Sequence, residues 1–260
     1  MKTISANHFI YDKLNLNPEK SPIYYKGKLK SLDPNAIHVG IIGSRNLSTF
    51  TLEFLPGVVE FLSFFKCNIL SGGALGVDTL AHASALNCGL STTAFLACPL
   101  SQLSPKQNQD LFQNISKKGL LLSCLPPHAQ SYKYTFINRN KSLVQLCDFL
   151  IVPQAHKDSG TIGTAKFALS QNKMVFVVPM RPTDCAYDGN TILLKQGAKL
   201  ITTYNDLFQH PKMLSLLNNK LKPQADIIAK KINAPKNLQP QQIIQLAFEK
   251  VLQKKYPLPD

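Results

Sequence analysis

Short apolar runs alternate with helix-like patterns along most of the chain. The first run covers residues 37–42, and a mostly apolar segment with helical spacing follows it as far as residue 66. Further strands are predicted at 67–70, 92–97, 119–123, 149–152, 175–178 and 199–202, and further helices at 75–86, 110–117, 136–146, 161–171 and 190–195. Strands that are apolar on both faces and alternate with helices predict an α/β fold. We expect an extended Rossmann-like, doubly wound and mostly parallel sheet.

Two changes in pattern suggest the domain organisation. Residues 1–36 are polar and contain three prolines, so we interpret them as an N-terminal lead-in that packs on the main domain. The alternating pattern occupies 37–210 and predicts the Rossmann-like domain. Residues 211–260 are rich in Lys, Asn and Gln and are broken by prolines, so they predict a small helical C-terminal region.

The most informative motif is the turn Ser71-Gly72-Gly73, which ends an apolar run and leads into a helix that has a further glycine at position 76. Backbone N–H groups at such a turn lie at the positive end of the helix dipole and can hold an anion, most often a phosphate. Asp78 and His82 lie four residues apart on the same helix. Their spacing favours local packing over a metal or acid–base site, because no third ligand or nucleophile accompanies them.

Two weaker turns of the same kind follow other predicted strands. They are Gly43-Ser44-Arg45 and Ser159-Gly160-Thr161. Glycine lets the backbone approach a phosphate closely, and the arginine supplies a charged fork. Because the carboxyl ends of parallel strands share one edge of a sheet, three such turns favour a polyanion over a single nucleotide. No G-x-G-x-x-G follows the first strand, so no nicotinamide or other cofactor is predicted.

The segment 132–141 interleaves aromatic rings with cations, among them Lys133, Phe136 and Arg139. Rings can stack on bases while Lys and Arg contact phosphates, the arrangement used for single strands. The alternative is that Phe136 is simply the first core residue of its helix.

Composition agrees with a polyanionic partner. The chain has 260 residues, 29 Lys and Arg against 15 Asp and Glu, and a formal net charge of +14. Most of the excess is lysine, which suits attraction to a phosphate backbone better than base reading. Six scattered cysteines without a Cys-x-x-Cys pair predict reduced core thiols and no metal site. With no signal-like or membrane-spanning apolar run, the sequence predicts a cytoplasmic protein with no membrane partner.

Taken together, these motifs resemble the DNA-processing protein A (DprA, or Smf) family between about residues 21 and 202. The resemblance also rests on the segments 22–27, 136–140, 175–179 and 189–198. It implies a non-enzymatic recombination mediator that binds single-stranded DNA as a homodimer, protects incoming strands during natural transformation and loads the RecA recombinase. The DNA-binding residues that follow are Gly43, Ser44, Arg45, Ser71, Gly72, Gly73, Lys133, Phe136, Arg139, Asn140, Ser159, Gly160 and Thr161, with Arg139 either supporting the pocket or joining it.

Two other functions are compatible with the same fold and phosphate-binding turns. The turn at 159–164 is similar to the P-G-G-x-G-T-x-x-E motif of nucleotide-monophosphate glycosidases, in which a glutamate takes part in bond cleavage. Phe167 stands at that position here and cannot act as an acid or base. The other alternative is a sensor that binds a small nucleotide and signals through its C-terminal region.

Overall fold

The computed structural model describes residues 2–180, 187–203 and 206–209, with short pieces between 229 and 246. Within these residues one sheet has nine strands: β1 (Lys2–Thr3), β2 (Tyr24–Gly27), β3 (Ile37–Ile41), β4 (Cys67–Ser71), β5 (Ser91–Leu96), β6 (Leu120–Ser123), β7 (Phe149–Val152), β8 (Met174–Val177) and β9 (Lys199–Leu200). Their order is β1-β2-β6-β5-β4-β3-β7-β8-β9. The strands from β3 to β9 pair in parallel, which confirms the predicted fold class.

Helices connect these strands and cover both faces of the sheet. They are α1 (Ile10–Leu14), α2 (Thr49–Leu62), α3 (Val77–Asn87), α4 (Gln109–Lys118), α5 (Lys133–Leu146), α6 (Gly160–Ser170), α7 (Tyr187–Lys195) and α8 (Asp206–Gln209). One buried cluster lies between α2, α3 and the sheet, another between α1, α5, α6 and the opposite face, and a smaller one beneath α4. Because every central strand is covered on both sides, most of its side chains are apolar, and the buried polar ones such as Asn68 and Thr93 are hydrogen-bonded to each other.

Side-chain hydrogen bonds fix where α2 and α5 begin. Helix α2 continues through Pro56, and its first turn is capped by the Ser48 hydroxyl, which accepts the Thr51 N–H at 3.2 Å. Helix α5 was predicted from residue 136 but begins at Lys133. The reason is local: the Thr135 hydroxyl accepts the Tyr132 N–H at 3.2 Å, so the helix is capped one turn earlier.

The N-terminal segment contributes to the main sheet. Strand β2 pairs antiparallel with β6, and β1 pairs with β2. Ile10 and Leu14 of α1 are buried in the cluster under α5. Residues 2–36 thus extend one edge of the sheet by two antiparallel strands and pack α1 against it.

Most of the predicted C-terminal helical region, 211–260, lies outside the described residues. Of the pieces that are described, Ile232 and Ile243 are buried in the same cluster as Phe176 and Leu207. This part of the region packs against the core of the main domain.

Candidate nucleic-acid interface

The strand order of the sheet reverses at β3. Strands β4, β5 and β6 are added on one side of β3, and β7, β8 and β9 on the other. The carboxyl ends of β3 and β7 therefore border a topological switch point, where open parallel sheets bind their ligands.

A cleft of about 610 Å³ opens at this point. It brings together most of the residues predicted to bind DNA, although they come from three separate segments of the chain. Those that line it are Gly43, Ser44, Arg45, Lys133, Phe136, Arg139, Asn140, Ser159, Gly160 and Thr161. The sequence interpretation missed Asn46 and His156, which also line the cleft. Both stand within three residues of a predicted turn, so widening each turn by three residues would have found them.

The turn after β3 is held in place by its backbone. An ideal Cβ on Gly43 would lie 2.5 Å from Val77 Cγ2 and 2.7 Å from the Gln154 carbonyl, so a side chain does not fit there. Ser44 is buried, its N–H donates to the Gln154 carbonyl at 2.8 Å and its carbonyl accepts from Val77 N–H at 3.0 Å. These bonds give Ser44 a structural part, and they leave the exposed Arg45 as the charged group of this turn.

The glycine-rich turn after β4 does not present its N–H groups to the cleft in the predicted way. The Asp78 carboxylate accepts the Ala74 N–H at 3.1 Å and also a bond from the Gly72 N–H. Gly72 and Gly73 are buried, and the Ser71 hydroxyl donates to the Ile41 carbonyl at 2.6 Å inside the sheet. A carboxylate of the chain itself thus accepts two N–H groups of this turn. A contact of residues 71–73 with phosphate stays a prediction.

Arg139 holds the same turn from the opposite side. Its Nη1 donates to the Gly72 carbonyl and, at 2.6 Å, to the Phe95 carbonyl, while its Nε donates to Asn140 Oδ1 at 2.8 Å. Burial lowers the pKa of the Arg139 guanidinium, and the nearby Asp78 acts to raise it. Burial raises the pKa of the Asp78 carboxyl, against the opposing effects of Arg139 and the N–H donors. This geometry favours the supporting role for Arg139.

Helix α5 supplies the exposed groups of the cleft. Lys133 is exposed in its first turn, and Phe136 is 43% exposed one turn further on. Tyr132 and Tyr134 beside them are stacked on each other with ring centroids 5.6 Å apart. A phenyl ring with this exposure is not the buried core residue of the alternative interpretation, and it is available to stack on a base.

The turn at the start of α6 differs from the glycine-rich turn. The Ser159 hydroxyl is buried and has no hydrogen-bond partner among the described residues. A helix N-terminus with an unused hydroxyl can accommodate an anion. By contrast, the Thr161 hydroxyl donates to the Gly43 carbonyl at 3.1 Å, and the Asn140 amide donates to Thr164 Oγ1 at 2.9 Å. The first bond connects the turn at 159–161 to the turn after β3, and the second connects α5 to α6.

A smaller cleft of about 240 Å³ adjoins the first on the other side of Phe136. Gly72, Gly73, Leu75 and Pro105 are among its lining residues, and it shares Arg45, Phe136 and Arg139 with the larger cleft. The glycine-rich turn thus forms a wall of this smaller cleft.

Asp78 and His82 have separate partners. His82 Nδ1 lies 2.7 Å from the Thr92 hydroxyl, which itself donates to the Ile69 carbonyl at 2.9 Å, so the proton of this imidazole is on Nδ1. Burial lowers the pKa of His82 to about 3. These separate hydrogen bonds agree with the prediction that Asp78 and His82 serve local packing and not a shared metal or acid–base site.

The described part of the chain has neither a cluster of metal-binding side chains nor a membrane-spanning helix. No group of three or more His, Cys, Asp or Glu side chains there could hold a metal ion. None of the described helices combines the length and the apolar character that a membrane span requires.

Fold and cleft together define a Rossmann-like α/β protein with a cationic, partly apolar cleft at the switch point of its sheet. A family model for the DNA recombination-mediator protein A matches residues 4–212, and the chain belongs to that family. The resemblance inferred from the sequence is thereby confirmed.

Individual relatives agree with this assignment. The chain is 34% identical over 185 residues to the DNA processing protein DprA of Streptococcus pneumoniae, covering 71% of this chain and 64% of the relative. Its fold matches the crystal structure of that protein with a TM-score of 0.72 and 32% identity, over 80% of this chain and 73% of the other. DNA processing protein A of Helicobacter pylori, a protein described for its single-stranded DNA binding mode, matches with a TM-score of 0.72 and 30% identity, over 84% of this chain and 96% of the other. The match spans less than two thirds of the length of the Streptococcus relative.

Proposed function

We propose that the larger cleft binds single-stranded DNA and that the protein is a recombination mediator. The observation that carries this proposal is the meeting of two exposed cations, Arg45 and Lys133, with the exposed ring of Phe136 and the open N-terminus of α6. Cations and helix N-termini attract phosphates, and an exposed ring stacks on any base. Membership of the recombination-mediator family and the description of the Helicobacter relative support the choice of DNA.

The remaining parts of the proposal follow from the family. We expect the protein to act as a homodimer in the cytoplasm, to protect incoming strands during natural transformation and to load RecA onto them. No catalytic role is proposed for the cleft. Phe167 is packed against the core of the sheet with Lys141 Nζ 5.8 Å from its ring centroid, and it is not among the residues that line the described cleft.

The proposal is tested by measuring the affinity for a single-stranded oligonucleotide as a function of salt. Arg45→Ala and Lys133→Ala are each expected to weaken binding and to reduce the slope of log K against log salt by about 0.7. Phe136→Ala is expected to lose on the order of 1–3 kcal/mol of binding energy with little change in that slope. Lys166→Ala, an exposed lysine on the outer side of α6, is the matched control.

Three outcomes would contradict the proposal. Wild-type affinity and slope in both cation variants would show that the strand binds elsewhere. Release of free base from a nucleoside monophosphate, or tight mononucleotide binding with little affinity for oligonucleotides, would favour the glycosidase or the sensor.

A further inference from the structure

The proposed cleft uses only a small part of the positive charge of the chain. Of its lining residues Arg45 and Lys133 are exposed cations, whereas Arg139 is turned inward beside Asp78. The formal net charge is +14. Most of the excess lysine therefore lies elsewhere on the molecule.

Four exposed lysines come together where β2 meets the end of α4. Lys26 is in β2 and faces Leu121 of β6 in the register of the sheet. Lys28 follows this strand, and its N–H donates to the Gly119 carbonyl at 2.8 Å. Lys117 and Lys118 form the last turn of α4, directly before that glycine. We call Lys26, Lys28, Lys117 and Lys118 the lysine corner.

The close approach of the two backbones places these four residues next to one another. An ideal Cβ on Gly27 would lie 2.5 Å from the Gly119 carbonyl and 3.0 Å from the Ser116 carbonyl, so β2 lies directly against the end of α4. Lys30 continues the basic run one residue beyond Leu29. Four like charges placed together repel one another, and a bound polyanion would relieve that repulsion.

No acidic partner neutralises the lysine corner in the described part of the chain. The ion pairs found there are Lys13–Asp148 and Lys66–Asp33, so Asp33, the acidic residue that follows the basic run, is already paired. The other nearby acid, Asp110, lies at the opposite end of α4. The corner is thus a surface of one sign.

We propose that the lysine corner is a second contact surface for the phosphates of a nucleic-acid strand whose other part occupies the cleft. This inference rests on the proposed function. The corner lies at the amino end of β6, whereas the cleft lies at the carboxyl ends of β3 and β7, and three strand spacings separate β6 from β3. The two sites are therefore roughly 20 Å apart, from about 4.8 Å per strand spacing and about 3.3 Å per residue along β6. A strand of several nucleotides is needed to reach both.

The test compares a short and a long oligonucleotide. In the variant Lys26→Gln/Lys28→Gln/Lys117→Gln/Lys118→Gln the side chains stay long and polar but lose their charge. For a single strand of roughly 35 nucleotides, we expect the affinity to fall on the order of tenfold or more and the salt slope to shrink by roughly 2–3 units, since each phosphate contact contributes about 0.7. For a strand of about three nucleotides, too short to reach from the cleft to the lysine corner, affinity and slope are expected to stay at the wild-type values.

A matched control separates this surface from general charge. Lys20, Lys166, Lys195 and Lys199 are exposed on other parts of the molecule, and replacing all four by glutamine removes the same charge. The control is expected to bind the long strand with nearly the wild-type salt slope. Thermal unfolding of both quadruple variants checks that a loss of binding does not come from loss of the fold.

The outcomes distinguish this inference from the proposed function. If the lysine-corner variant binds the long strand as tightly as the wild type does, the inference alone is overturned. The same holds if the variant loses as much affinity for the short strand as for the long one, or if the control variant loses as much affinity as the lysine-corner variant. A variant that loses only affinity for duplex DNA would also overturn it. Wild-type protein that binds neither oligonucleotide would overturn the proposed function.

Discussion

The turn at 72–74 and the turn at 159–161 both join a parallel strand to the next helix at the cleft, yet they use their polar groups differently. In the first, the Asp78 carboxylate accepts the N–H groups of Gly72 and Ala74, and the Arg139 guanidinium donates to the Gly72 carbonyl. In the second, the Ser159 hydroxyl has no partner among the described residues. A glycine-rich turn before a helix is therefore not sufficient evidence of an anion site, because the chain can supply the anion itself.

The largest expected effect tests whether Asp78 is the internal anion. Asp78→Ala removes the acceptor of two N–H groups and leaves the inward-facing Arg139 without its neighbouring charge. We expect a loss of about 3 kcal/mol or more in the free energy of unfolding, measured with urea. Asp78→Asn retains an acceptor oxygen and is expected to lose less. Full stability of Asp78→Ala together with loss of DNA binding would mean that the turn faces the ligand after all.

A pair of glycine substitutions compares the two turns directly. Gly73 has φ +84°, and an added Cβ would lie 2.7 Å from Leu96 Cδ2 and 2.9 Å from Phe112 Cε1. Gly73→Ala is therefore expected to cost about 2–3 kcal/mol of stability, from backbone strain and overpacking. At Gly160 an added Cβ meets no atom within 4 Å, so Gly160→Ala is expected to change stability by less than about 1 kcal/mol. Equal thermal unfolding midpoints for the two variants would remove the contrast.

The pH dependence of stability tests whether helix α3, which follows the first turn, is anchored as part of the core. Burial lowers the pKa of His82 to about 3, below the ordinary value of 6.5. Between these two pH values the imidazole is therefore protonated in the unfolded chain and neutral in the folded protein. Stability is therefore complete above about pH 6.5 and falls toward pH 3, by at most about 1.4 kcal/mol per pH unit from this residue.

The control for this pH prediction is His82→Gln, in which the free energy of unfolding measured between pH 7 and pH 4.5 is expected to change less steeply. The same slope in both proteins would show that His82 is not the residue responsible.

The smallest effect belongs to the second turn. Ser159→Ala removes a hydroxyl that no described residue uses, so the free energy of unfolding is expected to stay nearly constant. If the hydroxyl donates to a phosphate, binding of single-stranded DNA weakens by about 1 kcal/mol, roughly fivefold. Ser170→Ala at the other end of α6, where the hydroxyl bonds the Phe167 carbonyl, is the control for affinity. A loss of stability without a loss of affinity would make Ser159 structural.

Much of the fold was accessible from the sequence because its signals are local. Strands buried on both faces show as continuous apolar runs, and each predicted strand from β3 to β9 lies within about two residues of its observed position. The pairing of β2 with β6 was not accessible, because a short, half-polar segment such as 24–27 has no pattern that specifies its partner. The early start of α5 depends on a single threonine cap, which propensity does not reveal.

For the candidate site, the sequence by itself determined which segments approach the switch point, since glycines and polar residues at strand ends converge on one edge of a parallel sheet. Only the tertiary structure decided which of their groups are available. The Ser71 hydroxyl and the Gly72 N–H have acceptors inside the protein, whereas Arg45, Lys133 and Phe136 remain exposed. The reason is physical: a donor binds a ligand only if no nearer acceptor of the chain reaches it, and Asp78 comes close enough to do so only because α3 folds back against the turn.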